Sequence, residues 1–264
     1  MSTVPDQPAR YDVAGAVATI TMDSPANRNA LSARMTARLV ELLATAVRDD
    51  AVRVIVLSHT GAVFCSGMDL SESTAASADS MPVSAFPAVL RAILDAPKPT
   101  IARVAGPARA GGVGLLAACD VVVAATTSTF AFTEVRLGLV PAVISVTVLP
   151  RLHASVVREL FLTAETFDGV RAAAIGLVNS VVEPEFLDSE VIRYCHLLVR
   201  GAPGAIADTK ALLAHPPVDA SPEQFAALSA LSARRFAGDE GQEGIASLRE
   251  KRPASWIPSS ARND

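Results

Sequence analysis

The stretch VAGPARAGGVGLLAACD, Val104–Asp120, decides the reading of this chain. A strand-like run, Thr100–Val104, feeds a Gly/Pro turn, and a small-residue helix opens at about Gly112 and runs to Ala118. Ala110, Gly111 and Gly112 carry no bulky side chain, so a ligand can approach the backbone closely. The first turn of a helix offers free N–H groups and the positive end of the helix dipole. Such a place stabilises negative charge, on a bound anion or on an oxygen that becomes anionic during reaction. Taken alone, the motif also fits a tight strand–helix junction whose glycines serve packing.

Working outward, the first part of the chain alternates strands with helices. Alternating Val13, Val17, Thr19 and Thr21 around Gly15 predict a β-hairpin. Ser32 predicts the cap of a helix carrying Met35, Leu39, Leu42 and Ala46 on one face. Val52–Leu57 is a continuous apolar run, the pattern of a buried strand. Ser71–Ser84 carries no packing signal and is expected to be a mobile loop. Helix at Ala85–Leu94, strands at Val121–Ala124 and Thr129–Phe132, and helices at Ala142–Leu152 and Val156–Thr163 follow. A short helix and strand occupy Gly169–Val182. From Leu187 the chain reads as helical, with breaks at Gly201–Gly204, His215–Pro217 and Gly238–Gly241. The expected class is α/β: residues 1–9 a flexible tail, 10–200 the core and 201–264 a helical region.

Composition excludes several classes. The 264 residues are half hydrophobic, enough for a large core without disulfides. The 23 basic and 27 acidic residues leave a net charge of −4 and no long basic run, which argues against nucleic-acid or anionic-membrane binding. Cys65, Cys119 and Cys195 form no CxxC pair and no zinc spacing with histidine, so no metal is expected; odd, scattered cysteines fit a reducing cytoplasm. The opening MSTVPDQPAR lacks an apolar signal segment, and the most apolar run, near Leu137–Leu149, is too short to span a bilayer.

A second turn, GAVFCSGMDL (Gly61–Leu70), follows the strand at Val52–Leu57. Gly67 lets the chain turn sharply and present the N–H of Met68. Two strand–turn junctions, each presenting an N–H, can converge on one oxygen and form an oxyanion hole.

These segments carry a family resemblance. FCSGMDL, AGGVG…CD and FTEVRLGLVP (Phe132–Pro141) resemble the crotonase superfamily, the enoyl-CoA hydratase and isomerase fold. SPANRNALS (Ser24–Ser32) is similar to its PxxxNAL segment, and EGIASLREKRPASW (Glu243–Trp256) to its final helix. The resemblance implies a spiral of ββα turns and a C-terminal helical region that builds trimers or dimers of trimers. It implies an acyl-coenzyme A substrate, with coenzyme A part of that substrate rather than a separate cofactor. The implied oxyanion donors are the N–H groups of Met68 and Gly111. Backbone at Asn27, Arg28 and Ala30, and at Cys65, Ser66 and Met68, would line the coenzyme groove, and Lys251 would reach its phosphates.

Of two glutamates common in family hydratases, the one three residues after the oxyanion glycine is replaced by Gly114. The other matches Glu134, the candidate for proton transfer at the α-carbon. The alternative for Glu134 is a helix-start carboxylate paired with Arg136. Wedged among Phe132, Val135 and Leu137, it would have a raised pKa. The missing carboxylate leaves three readings open: a hydratase, toward which the segment PAVIS (Pro141–Ser145) leans; an enoyl-CoA isomerase using Glu134 alone; and a non-catalytic acyl-CoA-binding protein. Asp69 and Asp120 are expected to be structural, Glu72 solvated, and Arg109 in a surface or intersubunit salt bridge. Cys65 is expected to pack, and His59, His153, His196 and His215 to be structural or exposed.

Overall fold

The computed structural model describes residues 7–74 and 84–261. Its strands are β1 (Ala9–Ala14), β2 (Val17–Met22), β3 (Val54–His59), β4 (Thr100–Val104), β5 (Ala108–Arg109), β6 (Val121–Ala125), β7 (Thr129–Ala131), β8 (Phe167–Asp168) and β9 (Ser180–Val182). Six of them form one sheet in the order β1-β2-β3-β4-β6-β9, and β5-β7-β8 form a second. The hairpin β1–β2 is antiparallel, and every later pair of the large sheet is parallel. The chain is thus α/β, with helices supplying the crossovers.

Burial explains these strands. In β2, Ala18, Ile20 and Met22 are fully buried, whereas Val17, Thr19 and Thr21 are half-buried. The predicted hairpin is present, but its core face is complementary to the alternation read from Val17, Thr19 and Thr21; with a period of two, neighbouring residues take opposite faces. All six residues of β3 are buried. Ile55 and Leu57 enter one apolar cluster, and Val54 and Val56 another with Ile101 and Val123, so the central strand is covered on both faces.

The helices are α1 (Ala33–Arg48), α2 (Phe86–Leu94), α3 (Gly111–Ala118), α4 (Ala142–Val148), α5 (Ala154–Thr163), α6 (Gly169–Ala174), α7 (Leu187–Val199), α8 (Pro203–Ala214), α9 (Pro222–Ala237) and α10 (Asp239–Glu250). Ser32 caps α1 as predicted, its Oγ accepting from the N–H of Met35 at 3.1 Å. Glu72 is not simply solvated: its carboxylate accepts from Ala33 N–H at 2.8 Å and neutralises the same helix start. All eight residues of α3 are buried, so it is a core helix without a polar face. Helix α7 covers the other face through Leu187, Val191, Cys195 and Val199.

The helical region after α7 is tied back by polar contacts. Arg53, just before β3, donates to the carbonyls of Gly201 and Trp256. Lys210 of α8 bonds Asp120, which also accepts from Thr100 N–H and Oγ1–H. Asp120 is therefore structural, as expected. Two of the helix breaks are narrower than predicted, because α8 begins at Pro203 and α10 at Asp239, whereas the break at His215–Pro217 extends to 221, α9 beginning at Pro222. No described helix is long and apolar enough to cross a membrane. Residues 75–83 of the expected mobile loop lie outside the described residues.

His59 ends β3 and is buried. Its Nε2 accepts from Ala105 N–H at 3.1 Å, which leaves the ring proton on Nδ1, facing the carbonyl of Thr60 at 3.3 Å. Burial lowers its pKa below 6.5. A depressed histidine pKa means that the unfolded chain binds more protons, so its contribution is intact above 6.5 and is lost as pH falls from there through the lowered folded-state pKa. The unfolding midpoint is expected to fall more steeply between pH 7 and pH 5 in the wild type than in His59→Gln. Parallel pH profiles of denaturant unfolding would overturn this.

Candidate active site

The site begins where β3 and β4 end and their chains turn toward each other. The segment 24–31 and the turn at 61–69 are locked by one side chain. Asn29 is fully buried; its Nδ2 donates to the carbonyls of Thr60 and Val63, and its Oδ1 accepts from Ser24 N–H. Leu31 N–H then donates to Gly67 O at 2.8 Å, and Asp69 N–H to Leu31 O at 3.3 Å, a short parallel bridge centred on Met68. A second bridge joins Cys65 to Ala108, bringing in the turn after β4.

The two turns meet at Gly67. Its φ is +95°, and a Cβ there would stand 3.1 Å from the Ala110 methyl, 3.2 Å from Arg109 O and 3.6 Å from Gly111 N. Only glycine fits that approach. Ala110 itself holds φ +46° and ψ −117°, a costly conformation for a residue with a side chain. It is held by its N–H, which donates to Ala131 O, and by its carbonyl, which accepts from Val113 and Gly114. The next N–H, that of Gly111, opens α3, one residue earlier than predicted. Neither Met68 N–H nor Gly111 N–H has an acceptor among the described residues. Two unused donors therefore stand on neighbouring turns at a helix N-terminus, the arrangement that receives developing negative charge.

The bond from Ala110 to Ala131 places the end of β7 beside this turn, and Glu134 follows three residues later. Glu134 opens a one-turn 3-10 helix, Glu134–Leu137, and is only 9% exposed. Its Oε2 is buried with no hydrogen-bond partner. Burial raises its pKa above 4.5. Arg136 does not pair with it, but donates to Thr163 O. A buried carboxyl with an unused oxygen and a raised pKa is equipped to carry a proton.

The other predicted residues fall as follows. Asn27 donates to Asp69, Arg28 O accepts from Ser66 N–H, and Ala30 is buried beside them, so segment 24–31 and the 65–69 turn form one surface. Cys65 is buried against Gly112, its thiol pushed up to about 12 by burial, so it packs and is not a nucleophile. Asp69 accepts from Ser71 and Asn27 and is structural. Arg109 donates to the carbonyls of Ala108 and Thr129 and to Thr129 Oγ1, tying β5 to β7, and pairs with no acidic residue among those described in this chain. Lys251 is exposed at the end of α10, and no described contact joins it to the glycine turns. No group of three or more potential metal ligands occurs among the described residues.

Two residues were missed in the sequence. Asn29 stands between the groove candidates Arg28 and Ala30, and nothing in the polar run SPANRNAL marks its amide as the buried one. Ile144 packs against Gly114: a Cβ at 114 would lie 2.3 Å from Ile144 Cγ2. No local pattern reports that contact. Asn29→Ala is expected to cost about 2–4 kcal/mol, because it strands buried backbone groups of both segments. Urea unfolding checks this, and a loss below about 1 kcal/mol would contradict the hub role.

Comparison with known proteins identifies the family and the fold. Residues 12–258 match the enoyl-CoA hydratase/isomerase family. The chain is 31% identical to "Enoyl-CoA hydratase domain-containing protein 3, mitochondrial" of Danio rerio, across 92% of this chain and 85% of that protein. It superposes on the crystal structure of an enoyl-CoA hydratase of Mycobacterium smegmatis with a TM-score of 0.88 at 31% identity, covering 94% and 98% of the two chains. An enoyl-CoA hydratase from Mycobacterium avium matches with a TM-score of 0.73 at 39% identity, covering 95% and 99%. With its α/β sheet, paired turns and C-terminal helices, the chain belongs to the enoyl-CoA hydratase/isomerase family and has the crotonase fold.

Proposed function

We propose that this chain hydrates a 2-enoyl thioester of coenzyme A, with Glu134 as its acid–base group. The observation that carries the reading is the buried, unpartnered Oε2 of Glu134 beside a turn with two unused N–H donors. The thioester oxygen sits between Met68 N–H and Gly111 N–H. Water attacks C3; the double-bond electrons move toward the thioester, and the oxygen takes the negative charge of an enolate. Glu134 gives its proton to C2, and the proton lost by the added water returns to Glu134. Loss of one oxyanion-hole donor costs about 3–4 kcal/mol in comparable sites.

The coenzyme portion lies along Asn27, Arg28, Ala30, Cys65 and Ser66, with Lys251 reaching a phosphate, in a homotrimer or a dimer of trimers. Exposed Phe225, Phe236 and Leu213 on α8 and α9 support burial of the helical region against another copy. A second reading has its own support. Gly114 carries no carboxylate, and moving a double bond from C3 to C2 needs only one base that takes a proton from C2 and returns it to C4.

One assay separates the readings. With 2-enoyl and 3-enoyl thioesters of coenzyme A, hydration consumes the conjugated chromophore and adds the mass of water. Isomerisation creates the chromophore at constant mass, and saturable binding without either change means a non-catalytic acyl-CoA-binding protein. Glu134→Gln is expected to lower kcat about 10²–10⁴-fold. A glutamate pKa raised by folding means the folded state binds more protons, so stability falls as pH rises through 4.5 and above. The variant should therefore unfold at the same or a higher temperature than the wild type at neutral pH, separating lost chemistry from misfolding. Unchanged turnover would sink the assignment.

A further inference from the structure

Position 114 lies one helical turn beyond Gly111, on the same face of α3. The Cα–Cβ bond of a helical residue tilts toward the helix N-terminus. A side chain at 114 would therefore reach back toward the Gly111 donor. That volume is already taken. Ile144, on α4, is 3% exposed, and its Cγ2 and Cβ stand 2.3 and 2.7 Å from where a Cβ at 114 would be. Thr147, one turn further along α4, donates to Gly114 O at 3.0 Å and fixes the two helices in this register. Ile144 cannot withdraw without opening the α3–α4 contact.

Resting on the acyl-thioester reading above, we propose that Ile144 is the specificity residue that holds this site to a single carboxylate. Its hydrocarbon fills the space on the Gly111 face that any side chain at 114 would need, so no second acid–base group can stand opposite Glu134. The wall next to the oxyanion donors is therefore apolar. Proton delivery and proton removal both fall to Glu134, and added water must be oriented by that carboxylate and the backbone.

The test is a set of variants at 114 and 144, read by thermal unfolding and by the pH profile of kcat/KM on a 2-enoyl thioester of coenzyme A. In an uncrowded helix interior, Gly→Ala stabilises. Here Gly114→Ala is expected to lower the unfolding temperature by roughly 3 °C or more. In the Ile144→Gly background, where both the Cγ2 and the Cβ at 144 are gone and the nearest atom is Cα at 3.4 Å, the same change is expected to raise it. Gly114→Glu combined with Ile144→Gly is expected to fold and to add a second ionisation to the single-ionisation profile of the parent.

A Gly114→Ala variant more stable than the parent overturns the proposal. So does a Gly114→Glu variant that folds and works as well as the parent without any change at 144. A double variant that folds but keeps the parent profile shows that position 114 does not face the reacting atoms, which also overturns it. The thermal sign reversal is read without substrate. A parent inactive on every enoyl thioester would therefore remove the functional reading while the steric claim was still decided.

Discussion

The close approach of two backbone turns is the constraint on which the rest of this site depends. Gly67 and the Ala110–Gly111 peptide stand so near that a side chain at 67 would crowd Ala110 and Arg109 O as well as strain a φ of +95°. The approach is over-determined. Asn29 fastens segment 24–31 to the carbonyls of Thr60 and Val63, Leu31 pairs with Met68, and Cys65 pairs with Ala108. Parallel β3 and β4 deliver both turns at the same end of the sheet. The strained Ala110 persists because these surrounding bonds leave it no cheaper conformation. Two N–H groups consequently remain without acceptors at a place where the backbone could otherwise have satisfied them.

Local charge follows from the same packing. The small second sheet attaches to the turn through Ala110 and Ala131, and Phe132 is anchored against Phe161 with ring centroids 4.6 Å apart. The next acidic residue, Glu134, is buried two residues on, and its Oε2 has no hydrogen-bond partner. A carboxyl in this position is costly to ionise, which is a penalty for stability and an asset for proton transfer. Helix α3 is buried on every side, and α4 packs Ile144, not a polar group, against its Gly114.

Much of the fold was legible. Continuous burial marked β3, the serine before an amphipathic run marked the start of α1, and Gly/Pro turns marked the ends of β3 and β4. The strands β5 and β8, two residues each, were not legible, because pairing with β7 rather than local propensity forms them. Alternation marked the hairpin β1–β2 but not which face of β2 is buried, because Thr and Val populate both sides of a strand. Glu72 and Arg109 were assigned to solvent or to a salt bridge. Their partners, Ala33 N–H and the Thr129 backbone, lie 39 and 20 residues away in sequence.

By itself the sequence determined which residue types could do chemistry: small residues at two turns, one acidic residue in an apolar segment, and glycine where a second carboxylate would stand. Those are one-dimensional facts, carried by side-chain identity and spacing. Only the tertiary structure decided that the two turns touch, that Glu134 is buried with an unused Oε2, and that Ile144 occupies the space above Gly114. Each of these is a distance between groups far apart along the chain. Such distances are fixed by sheet register and helix packing, which no local pattern encodes.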